Sequence, residues 1–270
     1  MTIENVAFRF EIGNFNCMVI RDADDGNRNT LLIQTGQQQI LIDTGIGHDL
    51  FPPSPHLGLL MDRLLAAGIV PAEIDLVLLS HADFDHICGA VDQSGHPAFP
   101  SARYIVSREE YGYWSARPKR LIPSAKFAGF LTENLCQLCC DLPPKRLAQL
   151  NNRLELIDPG SEIAPGIRAI AAPGHTPGHM AINISSGDEQ MRFVGDLIYD
   201  PDDIGNIEWH SAVDVDPAQA AATREQLLGQ AASDQTLLIA YHAPFPGLGY
   251  VSRQGLGWKW TAYKSDTDFL

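Results

Sequence analysis

The chain has 270 residues, is 45% hydrophobic and carries a formal net charge of −14. That length and apolar content suffice for a large buried core, while the acidic surface disfavours binding to nucleic acid phosphates or anionic membranes. No apolar run is long enough to span a bilayer, residues 1–10 lack the apolar core of a signal peptide, and the five cysteines show no pairing pattern, so a reducing cytoplasm is the expected home.

Residues 6–20 and 30–43 read as strands joined by tight turns, with breaks at Asp24-Asp25-Gly26-Asn27 and Gly36-Gln37-Gln38. The second stretch ends in Ile40-Leu41-Ile42 and runs into Asp43-Thr44-Gly45. Residues 57–67 space their apolar side chains as a helix does and stop at Gly68. The short bounded run Leu76-Val77-Leu78-Leu79 reads as a buried strand, and residues 103–106 as another. Residues 108–150 differ in character. Tyr111, Tyr113, Trp114, Phe127 and Phe130 punctuate helical segments broken by Pro118, Pro123 and Pro143-Pro144. This stretch is read as a helical lid insertion in a single domain spanning 1–270. Cys136, Cys139 and Cys140 fall in one of its helices and are read there as buried apolar residues. Strands follow from 154 to 194, then an Asp-rich loop and a helix over 217–232 with Asp216 ahead of Pro217 as its start signal. A last strand covers 237–240, and the Pro- and Gly-rich residues 243–257 predict no regular element. Two strand-rich halves, each finished by helices, predict two sheets face to face with helices outside, in an α/β or α+β fold.

The chemistry gathers at the ends of the apolar runs. His81-Ala82-Asp83-Phe84-Asp85-His86 puts four metal-competent side chains within six residues, directly after a strand. His175 follows another strand in Gly174-His175-Thr176-Pro177-Gly178-His179; Asp196 follows a third and His242 a fourth. Imidazoles and carboxylates together suit zinc, iron or manganese, and loops on a rigid sheet are where a pre-formed site is built.

These pieces, with Leu41-Ile42-Asp43-Thr44-Gly45 and Gly195-Asp196, occur in an order that resembles the metallo-β-lactamase superfamily. The resemblance implies a four-layer αββα sandwich with a two-metal site at one edge of the sheets. It assigns His81, Asp83 and His175 to one ion and Asp85, His86 and His242 to the other, with Asp196 bridging. Zinc is the first expectation for both ions, with manganese or iron as alternatives. It also makes Asp43 structural and leaves His179 a supporting or packing residue. His48, His56, His96 and His210 match no motif.

One position departs from the pattern. The superfamily's run is His-x-His-x-Asp-His, and here Asp83 stands at the second His. Two divalent ions give +4, against −4 from Asp83, Asp85, Asp196 and a bridging hydroxide; one carboxylate fewer leaves +1. The expectation is a less Lewis-acidic core that accepts harder metals more readily.

The resemblance further implies a metal-bridging hydroxide as nucleophile, with Asp85 handling its proton. Tyr199 sits where lactone-cleaving members carry a Tyr that contacts the carbonyl oxygen, and is read as catalytic with Asp85. The stretch around His242 resembles the branch of lactonases and organophosphate hydrolases. An ester-type small molecule, a lactone first, is the expected substrate; thioester and phosphotriester hydrolysis and a non-catalytic metal-stabilised binding protein are the alternatives. A homodimer is left open.

Overall fold

The computed structural model describes residues 6–24, 27–47, 56–118, 133–206 and 208–264, with the backbone only for 133–138 and 151. Among the described residues, fourteen strands and five α-helices follow in chain order. The first half holds β1 (Ala7–Ile12), β2 (Phe15–Arg21), β3 (Asn29–Gln34), β4 (Gln39–Ile42), α1 (Leu60–Ala66), β5 (Leu76–Leu78), α2 (Phe84–Ile87), β6 (Arg103–Ser107), α3 (Arg108–Ser115), α4 (Glu133–Gln149) and β7 (Leu154–Ile157). The second half holds β8 (Glu162–Ala164), β9 (Ile167–Ala171), β10 (Met180–Ser186), β11 (Glu189–Phe193), α5 (Pro217–Asp234), β12 (Leu237–Ile239), β13 (Leu248–Gln254) and β14 (Gly257–Ala262). Each half makes one seven-stranded sheet, with order β1-β2-β3-β4-β5-β6-β7 and β14-β13-β12-β11-β10-β9-β8.

The period-two alternation of the strands builds the layers. Val19, Leu31, Ile33, Ile40, Ile42 and Leu78 of the first sheet share one core with Ile167, Ile182, Met191, Phe193 and Ile239 of the second. Their chain neighbours Met18, Ile20, Leu32, Leu41, Val77 and Tyr104 point the other way and pack with Leu64, Ile87, Trp114 and Leu147 of the helices. On the outer face of the second sheet, Ala181, Val194 and Leu238 meet Leu227, Leu228 and Ala231 of α5. The result is helices, sheet, sheet, helix, the αββα order expected. Asp216 caps α5 as anticipated, its carboxylate accepting the Gln219 N–H at 2.9 Å.

Two expectations are corrected. Residues 243–247 are irregular as expected, but those that follow are not: β13 and β14 form an antiparallel hairpin in register from Gly249↔Ala262 to Gln254↔Gly257. Gly255, at φ +59°, opens the two-residue turn that permits this, a conformation only glycine takes freely. Pro143-Pro144 do not break their helix either, since α4 runs through both. The two missing N–H groups forfeit bonds to the carbonyls of residues 139 and 140, a cost intrinsic to proline. Burial of Leu142, Leu147 and Arg146 against the body holds the helix across the gap. Of the aromatics of 108–150, Trp114 is fully buried and Tyr111 and Tyr113 pack on the same core; Phe127 and Phe130 lie outside the described residues.

Candidate metal centre

β4, β5 and β6 run parallel, and β12 runs parallel to β11. β9 and β11 both pair antiparallel with β10, so they too share a direction. The loops leaving the C-terminal ends of β5, β9, β11 and β12 therefore carry His81 to His86, His175, Asp196 and His242 toward a common place.

All seven expected donors meet there. His175 Nε2 lies 3.2 Å from Asp83 Oδ2, and His81 Nε2 lies 4.0 Å from the same oxygen. On the other side, Asp85 Oδ1 is 4.0 Å from His86 Nε2 and Asp85 Oδ2 is 3.6 Å from His242 Nε2. Asp196 stands between the two sets. Its Oδ1 is 3.1 Å from His86 Nε2, and its Oδ2 is 3.4, 3.5 and 3.9 Å from the Nε2 atoms of His242, His175 and His81.

These spacings fit cations. An ion with zinc-like bonds of about 2.0–2.1 Å in a tetrahedron holds its ligand atoms about 3.3 Å apart. The three donor groups with atoms close enough are His81-Asp83-His175, His81-His86-Asp196 and Asp85-His86-His242. The first and last are the two sets expected from the sequence. His81 Nε2, His86 Nε2 and Asp196 Oδ1 are buried without a hydrogen-bond partner among the described residues, a costly arrangement that a bound ion would relieve.

The far side of each ring is tied down, as metal-ligating imidazoles require. His86 Nδ1 donates to Asp43 Oδ2 at 2.7 Å, His175 Nδ1 to Asp214 Oδ1 at 3.0 Å and His242 Nδ1 to the Asn27 carbonyl at 2.9 Å. His81 Nδ1 reaches Ser80 Oγ at 3.0 Å, and that hydroxyl donates to Asp43 Oδ2 at 2.7 Å. Asp43 itself holds a left-handed backbone, φ +60°, pinned by these bonds and by the Ser80 N–H. His179 is turned away from the donors. Its Nδ1 donates to the Ala172 carbonyl at 2.9 Å, so Nε2 is free to accept the Asp196 N–H at 3.2 Å. Gly195, at φ +52°, allows that approach: a Cβ there would lie 2.5 Å from His179 Nε2.

Electrostatics follow burial and partner. Burial alone would lower His175, but bonds to Asp214 and Asp83 lift it to about 9. Against the same burial, Asp196 and Asp43 hold His86 well above its ordinary value. Burial first, and then the charge of His86, keep His81 well below it. At pH 7 the metal-free protein therefore carries protons on His86 and His175 that an ion must displace. Loading with zinc is expected to release about two protons, because imidazole ligates only when neutral at the bonding nitrogen. Apparent affinity should fall as pH drops, the part due to His175 fading above about 9. Titration calorimetry in buffers of different ionisation enthalpy measures this, and no proton release at pH 7 would contradict it.

Tyr199 reaches the site. Its ring stacks on His242 with centroids 4.9 Å apart and 6° between planes, and its Oη is 3.3 Å from His175 Nδ1. Of the other histidines, His56 pairs with Asp24, and His96 and His210 are exposed; none enters a donor group among the described residues, and His48 lies outside them. No cysteine enters one there either; burial pushes the Cys139 thiol up, and the Cys136 side chain lies outside the described residues.

Several residues of the centre carry no motif. Glu110, fully buried, ties two of the four donor-bearing loops to α3. Its Oε1 accepts the Ala82 N–H and Trp114 Nε1, each at 2.9 Å, and its Oε2 accepts Thr176 Oγ1 at 2.7 Å and the Gly178 N–H at 3.2 Å. Asp214 orients His175, and Tyr241 donates to the Asp85 carbonyl at 2.5 Å. The only sequence signal for Glu110 was the capping pattern of Ser107, which accepts the Glu110 N–H at 3.0 Å. Glu110→Ala strands four donors and is expected to cost at least about 3 kcal/mol; urea unfolding of the metal-free protein measures it, and a loss under about 1 kcal/mol would refute the bridging role.

Comparison with known proteins finds relatives of this chain. An N-acyl homoserine lactonase from Bacillus cereus is 26% identical over 171 residues, which is 57% of this chain and 57% of that relative, so the match covers little more than half its length. Among solved structures, AidC, described as a dizinc quorum-quenching lactonase in complex with a product, superposes with a TM-score of 0.85 at 26% identity, over 96% of this chain and 98% of that one. The hydrolase AbOPH of the beta-lactamase superfamily gives 0.80 at 25% identity, over 97% and 98%. The family model of the metallo-beta-lactamase superfamily matches residues 23–242, a span that contains every donor described above, and the chain belongs to that superfamily.

Proposed function

We propose that the protein is a dinuclear metal-dependent hydrolase that opens an ester-type bond, a lactone first. The observation that carries this reading is the seven-donor cluster with every histidine oriented from behind. His81, Asp83 and His175 would hold one ion, Asp85, His86 and His242 the other, and Asp196 both. Two such ions, zinc in the first instance, supply Lewis acidity and make water nucleophilic at neutral pH. The protein's own groups do the rest. Asp85 takes up a proton at Oδ1, the oxygen that Arg28 does not contact. Tyr199 Oη, 3.3 Å from His175 Nδ1, donates a hydrogen bond to the oxygen where negative charge develops. The stretch 108–150 is the proposed lid; of its described residues, those of α4 pack against α2.

That AidC and the Bacillus relative are lactonases supports a lactone over other esters. The test is a panel of N-acyl homoserine lactones, aryl esters, a thioester and a phosphotriester, with elemental analysis of the same preparation. Near two equivalents of zinc, and lactone turnover abolished by chelator, are expected. Less than half an equivalent with activity intact would defeat the reading. Tyr199→Phe is expected to lower lactone turnover ~10-fold, one hydrogen bond of about 1.4 kcal/mol; unchanged turnover would put the side chain in packing.

A further inference from the structure

Residues 27–29, leading into β3, lie against the candidate metal centre. Asn27 holds His242 through its carbonyl. Asn29 donates its N–H to the Tyr241 carbonyl at 2.9 Å, and its Nδ2 to the carbonyls of Ala240 at 3.2 Å and Ala243 at 2.8 Å. Between these two, Arg28 places Nε 3.4 Å from Asp85 Oδ2. That nitrogen is buried and makes no aligned hydrogen bond among the described residues, while the side chain as a whole is 19% exposed. The contact is thus an ion pair at the rim of the centre. Two other groups face Arg28. Asp22 accepts the N–H groups of Ile46 at 2.8 Å and Leu60 at 2.9 Å and also faces Arg63. Tyr241 is held neutral by burial.

We propose that Arg28 is a positioning residue whose fixed charge offsets the extra carboxylate that Asp83 brings to the centre. The proposal rests on the dinuclear reading. Two divalent ions bring +4; Asp83, Asp85 and Asp196 bring −3, leaving +1 where a His at position 83 would leave +2. Arg28 adds the missing charge, and a guanidinium keeps it at any working pH. By holding Asp85 Oδ2 it also fixes that carboxylate before an ion arrives.

A counter-charge and a structural strut predict opposite signs. A fixed cation repels an incoming cation and competes for Asp85, so removing it should tighten metal binding. Removing a strut should loosen it. Zinc titration of the metal-free protein against a competing chromophoric chelator distinguishes the two. Arg28→Gln is expected to bind zinc at least about threefold more tightly at low ionic strength, with the gain shrinking as salt is added. Arg28→Lys, which keeps the charge, should stay within about twofold of the parent. Circular dichroism of both metal-free variants confirms that they are folded. Equal or weaker binding in Arg28→Gln, at two equivalents of zinc, overturns the proposal while leaving the dinuclear reading intact. Failure of the parent itself to take up zinc removes the dinuclear reading, and this inference with it.

Discussion

Asp196→Asn is expected to abolish the centre rather than weaken one part of it. Its two oxygens lie 3.1 to 3.9 Å from the Nε2 atoms of His86, His242, His175 and His81, so one side chain is shared by both donor sets. The carboxylate is fully buried. Burial would raise it, yet His86 and His242 hold it well below the ordinary carboxylate range. An amide of the same shape removes that charge and turns an N–H₂ toward cations. Loss of an outer partner of a metal ligand already costs up to ~100-fold in affinity; loss of a shared ligand should exceed that. Zinc content is expected to fall well below two equivalents, and turnover by at least ~1000-fold, about 4 kcal/mol. The measurement is elemental analysis after gel filtration, together with lactone kinetics. A variant that keeps two equivalents and stays within tenfold of parental turnover would show that Asp196 does not bridge.

Asp85→Asn should be nearly as damaging for a different reason. Asp85 touches one donor set only, near His86 and His242, and its Oδ2, the oxygen that faces His242, is also paired with Arg28. Asn can still offer an oxygen ligand, so much of the metal should remain. What it cannot do is take up a proton. Turnover is expected to fall at least ~100-fold, the scale of a positioned acid–base group, mainly in kcat and with KM little changed. If kcat per bound metal is unchanged, proton handling belongs to another group. If kcat falls only in proportion to lost zinc, Asp85 is a ligand and nothing more.

The identity and order of the donors were legible in the sequence. His81, Asp83, Asp85 and His86 sit together because a strand ends there, and His175, Asp196 and His242 each close a further bounded apolar run. Two strand-rich halves, each finished by helices, also implied two sheets face to face, because a sheet must bury an apolar face against another layer. A capping Asp before Pro217 located α5 for the same local reason.

What only the tertiary structure decided involves partners far apart in the chain. Glu110 meets Thr176 and Gly178, Asp214 meets His175, and Asn27 meets His242 across more than two hundred residues. None belongs to a periodic pattern, and a lone Asp, Glu or Arg reads locally as a solvated charge. The survival of α4 through Pro143-Pro144 was hidden likewise, since the proline cost is local but the burial of Leu142 and Leu147 that offsets it is not. The charge balance of the centre shows the same division. Asp83 announces a missing positive charge within six residues of sequence, whereas Arg28, the charge that answers it, stands 57 positions from Asp85 and is brought beside it only because β2 and β3 lie in the same sheet as β5.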